Sequence, residues 1–544
     1  MEEFSASQIA QIVHASSDFA LYPGTHNEGS VKEFLDRFPL PVIMKKHIWS
    51  CSSKTLLAAT TYTVWSLLQT KADVPDLENA LVACLERIFK TKYGSSLIPH
   101  YMPFLQAGLQ ADSEAVKCLA CKTVSCLFEN LSYESGLPAQ LVIENDIYPL
   151  LLHCLVSSDE QVATAATDAI KNFASTSEGI ATIFPTERKD STDLGHLASK
   201  CSSLGRIRIL SLIVKLFSIS HAVASVIHSS NLLGIFEIEV SKTNDILATL
   251  SVLELLYELN EIEHAAEFLP MTSLLQLLTS IISNSVHSIL RSRAMVISGR
   301  MLSKENTIMF VEETNVLSIV SAIKIRLESS ESIDGNECES ALEAIGQIGS
   351  SARGAELLLL RSPEVVKLVT SSAFDGQRRG KQLAALHSLG NIAGVNRSGT
   401  NILLGRAAEE SFQQLFYDIA STTSKLTPSG LLLSVLKQDS ETRAAGYRLI
   451  SGLVARAWSL SEVCSRQDII NIVTDAYIED TKIGMESRHD CCLAIHNALI
   501  SSNLKGDSIL AGISVKLQEA IKRGPYLTQK QAEARPTVLS EQRF

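Results

Sequence analysis

Aromatic side chains are scarce in this chain, at 6% of 544 residues with only three tryptophans. Proline (14) and glycine (27) are sparse as well, whereas hydrophobic residues reach 46%. Sheets draw on aromatic and β-branched residues and on turn-forming glycine and proline, so this mixture favours stacked helices. Long basic runs are also missing. Net charge is −11, and the basic clusters Lys45-Lys46-His47, Arg291 with Arg293, and Arg378-Arg379 are short enough to be solvated helix ends. A nucleic-acid partner is therefore not expected. No apolar run approaches the roughly 18 to 20 residues that span a bilayer. The first residues, "MEEFSASQIAQIVHASSDF", are acidic and amphipathic rather than signal-like, so no membrane is expected either. Eleven cysteines at irregular spacing, an odd number, argue against a disulfide framework. The expectation is a soluble protein of a reducing compartment, the cytoplasm or the cytoplasm and nucleus.

What is present is periodicity. Apolar residues recur at i, i+3, i+4 and i+7 through segments of about 10 to 16 residues, separated by short breaks rich in Ser, Asp, Asn and Gly. Even "YPLLLHCLV" (148–156), apolar enough for a strand, is read as a buried helix because its neighbours have helical spacing. One pattern repeats: small, small, large apolar, large apolar at offsets 0, 3, 4 and 7. It occupies Ala166, Ala169, Ile170 and Phe173, then Ala341, Ala344, Ile345 and Ile348. It returns at Ala385, Ser388, Leu389 and Ile392, and at Cys491, Ala494, Ile495 and Ala498, with a weaker copy at Ala120, Thr123, Val124 and Leu127. The four positions share one helix face, and the small ones admit a close neighbour. A glycine follows at Gly179, Gly354 and Gly399, and each time a new apolar helix begins.

Helices stopped by a small polar turn and reopened are the pattern of armadillo or HEAT units of about 40 to 47 residues. The fold expected is all-α, an armadillo/HEAT-like superhelical solenoid over residues 1–523, with a mostly disordered polar tail at 524–544. Between about 200 and 330 the units are visible only as helices. Loops are expected at 21–30, 185–196 and 329–337.

Candidate chemistry is thin. Gly376 to Gln382 has one residue too few between its glycines for a phosphate loop and lacks the Ser or Thr after Lys381. Cys118 and Cys121 have metal-like spacing but no second pair completing four ligands. His489 beside Cys491 and Cys492 lacks an orienting third group. Glu254, Glu258, Glu261, Glu263 and Glu267 read as a solvated face, or else as a docking face for a basic partner. No enzymatic activity, cofactor, metal or small-molecule substrate is expected, and protein binding on a long surface is the default use of such a scaffold.

The asparagines carry more information. Asn172, Asn391 and Asn497, with Gln347 in one copy, hold the place where importin-type armadillo repeats keep a groove asparagine. These four are the candidate protein-binding residues, since their amides can bond a partner's backbone. Four residues earlier, where the importin type keeps tryptophan, stand Asp168, Glu343, His387 and Leu493. That departure argues against a transport receptor, which together with a generic armadillo adaptor is the alternative reading.

The last third is more specific. "LLLSVLKQDSETRAAGYRLISGLVARAWSLSEVC" reads as a short apolar segment, a polar break and a helix ending near Trp458. The "ED-K-ESRHD" break (Glu479 to Asp490), Gly524-Pro525-Tyr526 and "ALEAIGQIGSSARGAELLL" (341–359) complete the pattern. Over about 338–538 this succession resembles the 26S proteasome non-ATPase regulatory subunit 5 family. The resemblance implies a non-enzymatic chaperone for assembly of the regulatory particle base, binding the C-terminal domain of an ATPase-ring subunit. It carries over no binding residue, because the contacts are a dispersed surface.

Overall fold

The computed structural model describes residues 6–38, 77–130, 136–185, 193–242, 244–329, 335–397, 402–502 and 508–526. Among them there are helices and no strands. The chain divides into two compact units, Met1–Ala265 and Ala266–Phe544. Each is organised by one ladder of long helices. In the first unit these are α1 (Leu77–Phe89), α2 (Glu114–Asn130), α3 (Glu160–Phe173), α4 (Ser203–Phe217) and α5 (Ile246–Glu261), each packed on the next. In the second they are α6 (Ser288–Leu302), α7 (Gly335–Ile348), α8 (Arg379–Ala393), α9 (Ser440–Leu453) and α10 (Lys482–Ser501), again in sequence. Further helices fill the intervals, such as Ala352–Arg361 and Pro363–Ala373 between α7 and α8. A ladder helix with the two helices that usually follow it is the three-helix armadillo/HEAT arrangement expected from the repeat.

The repeated pattern does what its residue sizes dictate. Ala166, Ala169, Ile170 and Phe173 are fully buried, as are Ala341, Ala344, Ile345 and Ile348. A Cβ added at Gly299 of α6 would lie 2.7 Å from the Cα of Ala344, and one at Gly346 of α7 would lie 2.6 Å from the Cα of Ser388. The backbones of α6, α7 and α8 are thus in contact, and the Ser388 hydroxyl donates to the carbonyl of Leu342 across the gap at 2.6 Å. Each large apolar residue sealed behind that contact contributes about 1.5 to 3 kcal/mol.

The glycine that opens the helix after a ladder helix acts through sterics, at Gly94 as well as at Gly179 and Gly354. Thr91, Thr176 and Ser351 cap the next helix, their hydroxyls accepting the N–H of Gly94, Gly179 and Gly354 at 3.0–3.1 Å. The same hydroxyls donate back to the carbonyls of Ile88, Phe173 and Ile348. A Cβ on any of these glycines would sit 1.9–2.0 Å from that same carbonyl oxygen. Only glycine lets the chain reverse so tightly. Gly399 lies outside the described residues, and α8 ends instead at Gly394, left-handed at φ +91°.

Some expectations shift. "YPLLLHCLV" is helical, within Ile147–Ser157. The loop expected at 21–30 is confined to 22–27, because Asn27 caps a helix beginning at Glu28. The loop at 185–196 closes at Asp193, which caps Leu194–Lys200, and that at 329–337 gives way to α7 at Gly335; the residues between, 186–192 and 330–334, lie outside the described set. Of the expected tail only 524–526 is described, and the Lys45-Lys46-His47 cluster is outside it too. The helix expected to end near Trp458 ends at Leu453. Arg456 fills the break: its guanidinium donates to the carbonyls of Ala393 and Gly452 and pairs with Glu409 at 2.7 and 3.0 Å. Trp458 belongs to the following helix, against Phe416 and Tyr417.

Among the described residues no single helix is long and apolar enough to cross a membrane.

Candidate protein-binding groove

Ion pairs stitch one ladder helix to the next. Lys122 of α2 meets Glu86 of α1 at 3.0 Å, and Lys215 of α4 meets Asp168 of α3 at 3.4 Å. Arg291 of α6 holds the buried Glu337 of α7 through two bonds of 2.6 Å. Arg379 of α8 reaches Asp439 and Glu441 at the start of α9. Arg443 of α9 grips Glu479, whose side chain is wholly buried and also accepts from the Tyr447 hydroxyl at 3.0 Å. Arg291 and Arg379 of the short basic clusters, and Glu479 of the polar break, are thus structural.

The candidate amides separate into two groups. Gln347 and Asn391 line one open groove of about 570 Å³ between α7 and α8, together with Glu339, Glu343 and His387. Asn172 stands half-buried on α3, in the first unit, and Asn497 is exposed on α10; neither lines this groove. The spacing brings Glu343 with Gln347, and His387 with Asn391, onto adjoining faces one turn apart. Where an importin-type repeat would offer indole, this groove offers a carboxylate and an imidazole.

Asn391 is oriented from the next repeat. Arg448 of α9 donates to its Oδ1 at 2.6 Å and to the carbonyl of His387 at 3.1 Å. Asn396 adds a longer bond, 3.4 Å, to the same Oδ1. With the oxygen occupied, the Asn391 NH₂ is the group left to act as donor. Desolvation, and then the charge of Arg448, holds the His387 imidazole below the usual histidine range. Burial likewise lowers the Arg448 guanidinium, which stays cationic because its ordinary value is so high. Sequence reasoning named His387 and Glu343 only as occupants of the tryptophan place and missed Arg448. Its one signal is a cation amid the small and apolar residues of "AAGYRLISGL".

The remaining motifs resolve into packing. Gly380 lies inside α8 rather than in a loop, and the buried Gln382 donates to the carbonyl of Ala373 at 3.2 Å. The Cys121 thiol is pushed up by its hydrogen bond with Cys154 and by burial, and burial raises Cys491 and lifts Cys492 to about 11. Such thiols are protonated near neutrality and poor nucleophiles. Among the described residues no three His, Cys, Asp or Glu side chains converge to hold a metal ion. Glu254, Glu258, Glu261, Glu263 and Glu267 are all exposed.

Repeated helix triplets and a polar groove between ladder helices define the class: an armadillo/HEAT-type solenoid. The chain belongs to the proteasome non-ATPase 26S subunit family, whose model matches residues 42–540. Among solved structures, Kap121p bound to Pho4p is 12% identical with a TM-score of 0.50, over 95% of this chain and 50% of that one. Kap121p bound to Nup53p is 13% identical (TM-score 0.48) over 95% of this chain and 50% of that one. A computationally designed armadillo repeat protein for modular peptide recognition is 15% identical (TM-score 0.30), over 46% and 94%. At these identities the likeness is one of fold alone. No match is found among curated proteins.

Proposed function

We propose that this protein is a non-catalytic chaperone for assembly of the 26S regulatory particle base, of the subunit 5 kind, working in the cytoplasm or in both cytoplasm and nucleus. It holds the C-terminal domain of one ATPase-ring subunit and yields it when contacts with neighbouring subunits outweigh the interface. The observation that carries this reading is membership, over residues 42–540, in a family of proteasome subunits that are not ATPases. The polar groove between α7 and α8 supports it, since a binding surface of polar character suits reversible capture. Gln347 and Asn391 are the contact residues best placed in a groove, while Asn172 and Asn497 offer amides elsewhere on the ladders.

Purification of the tagged, full-length protein under native conditions tests the proposal. ATPase-ring subunits should co-purify with little of the proteolytic core. Recovery of none of those subunits would overturn it.

A further inference from the structure

Gly524-Pro525-Tyr526 turns the chain back onto the last ladder helix. Gly524, left-handed at φ +77°, ends the helix Ser508–Arg523. The buried Arg488 of α10 then donates to the carbonyl of Pro525 at 3.5 Å, and to that of Val473 at 3.1 Å. The Tyr526 hydroxyl donates to Glu486 of α10. The described residues end at Tyr526, with 527–544 still to follow. Glu486 lies on an open stripe of α10, because positions 483, 486, 490, 493, 497 and 500 recur every three or four residues and share one helix face. On that stripe Ile483, Leu493 and Ile500 are exposed, Ile483 by 72%. Among the described residues, the preceding ladder helices α7, α8 and α9 expose no large apolar side chain. Large apolar residues repeated along an open helix face mark an interaction surface.

We infer that the chain covers this stripe with its own residues 527–544. Leu527 comes directly after the residue bonded to Glu486, which is one turn from Ile483. Val538 and Leu539 are the next large apolar residues of the segment. From Glu486 to Ile500 the helix rises about 21 Å at roughly 1.5 Å per residue. The stretch from Leu527 to Leu539 can reach about 40 Å, so this pair can meet Leu493 and Ile500 without full extension. Asn497, exposed between those two, offers its amide to the main chain of the segment. A second copy or a foreign chain must arrive from solution, whereas this segment is tethered beside the stripe at high effective concentration. A partner that uses Asn497 must therefore first displace the segment, whatever that partner is.

The test follows trypsin cleavage after Lys530, which lies between the two anchors, by mass spectrometry of the full chain. A synthetic peptide of residues 524–544 gives the rate for the undocked segment. In the full chain the initial rate should be on the order of tenfold lower, because cleavage follows the population of the open form and burial of large apolar side chains closes it. Leu493→Ser with Ile500→Ser removes the seat, and Val538→Ser with Leu539→Ser removes the anchor. Each pair should bring the rate up to that of the peptide. The first pair replaces exposed side chains, so circular dichroism should show the variant folded. The second leaves every described residue unchanged. Wild-type cleavage as fast as that of the peptide would overturn the inference, as would slow cleavage that either pair leaves unchanged. Slow cleavage that speeds up on dilution would overturn it too, since the occupant is then a second copy.

Discussion

Glu479 shows how much a single side chain can hold. Its carboxylate is buried among Arg443, Tyr447 and the turn that opens α10, where a Cβ at Gly484 would lie 2.6 Å from Oε2. Removing one partner of a buried pair leaves the other charge uncompensated, at a cost of about 3–5 kcal/mol. Arg443→Ala should therefore destabilise by that order in urea unfolding. Glu479→Gln, which keeps an acceptor for Tyr447 and leaves the partly exposed Arg443 access to water, should cost less. The opposite ranking would show that packing rather than charge governs the site. None of this was legible beforehand: Glu479 was visible as part of a polar break, but its burial depends on Arg443, 36 residues away.

The glycine turn is the clearest rule for an element. Gly354→Ala would drive a Cβ to 1.9 Å from the Ile348 carbonyl oxygen, which only backbone movement relieves. A loss of about 1–3 kcal/mol or more is expected, as for other overpacked sites. Gly376→Ala, with nothing within 4 Å, should be neutral or stabilising by up to about 1 kcal/mol. Thermal melts of the two variants side by side check the contrast. The helices, their repeat and their close-packed face were legible because alanine, serine and glycine at fixed offsets leave a visible signature. In α4 and α5 the same face carries Ile209 and Leu212, then Thr249 and Val252, all buried. With bulk at the small positions, the repeat disappears from sequence while the ladder persists. The candidate groove was half legible. Four amides were named, yet only Gln347 and Asn391 share a groove, because they alone sit on neighbouring ladder helices, α7 and α8, while Asn172 and Asn497 stand on α3 and α10.

Across the whole molecule, the acid response follows from carboxylates tied between repeats. Burial alone would raise Glu86, but Lys90 and Lys122 more than offset it and hold it below the usual range. Burial also opposes ionisation of Asp439, which bonds from Thr442 and Glu441 and the charge of Arg379 keep low. Groups depressed in the folded state bind protons more readily when unfolded. Their stabilisation is present above the unfolded carboxylate value, near pH 4, and is lost as pH falls through the folded value. Melting temperature should therefore decline below about pH 4 to 5, and less steeply in Lys122→Met, where Glu86 loses a partner. With a net charge of −11, association with a cationic partner should also slow as ionic strength rises, a trend that stopped-flow mixing would show.

One bond sets an order of events. The amide of Asn391 belongs to α8, but the guanidinium that orients it belongs to α9. During synthesis the chain emerges from its N-terminus, so the α7–α8 surface exists before Arg448 has been made. A nascent chain stalled short of residue 448 would carry the groove without its fixed donor. On the proposed reading of this groove, capture of a partner would be deferred until the following repeat has folded against it.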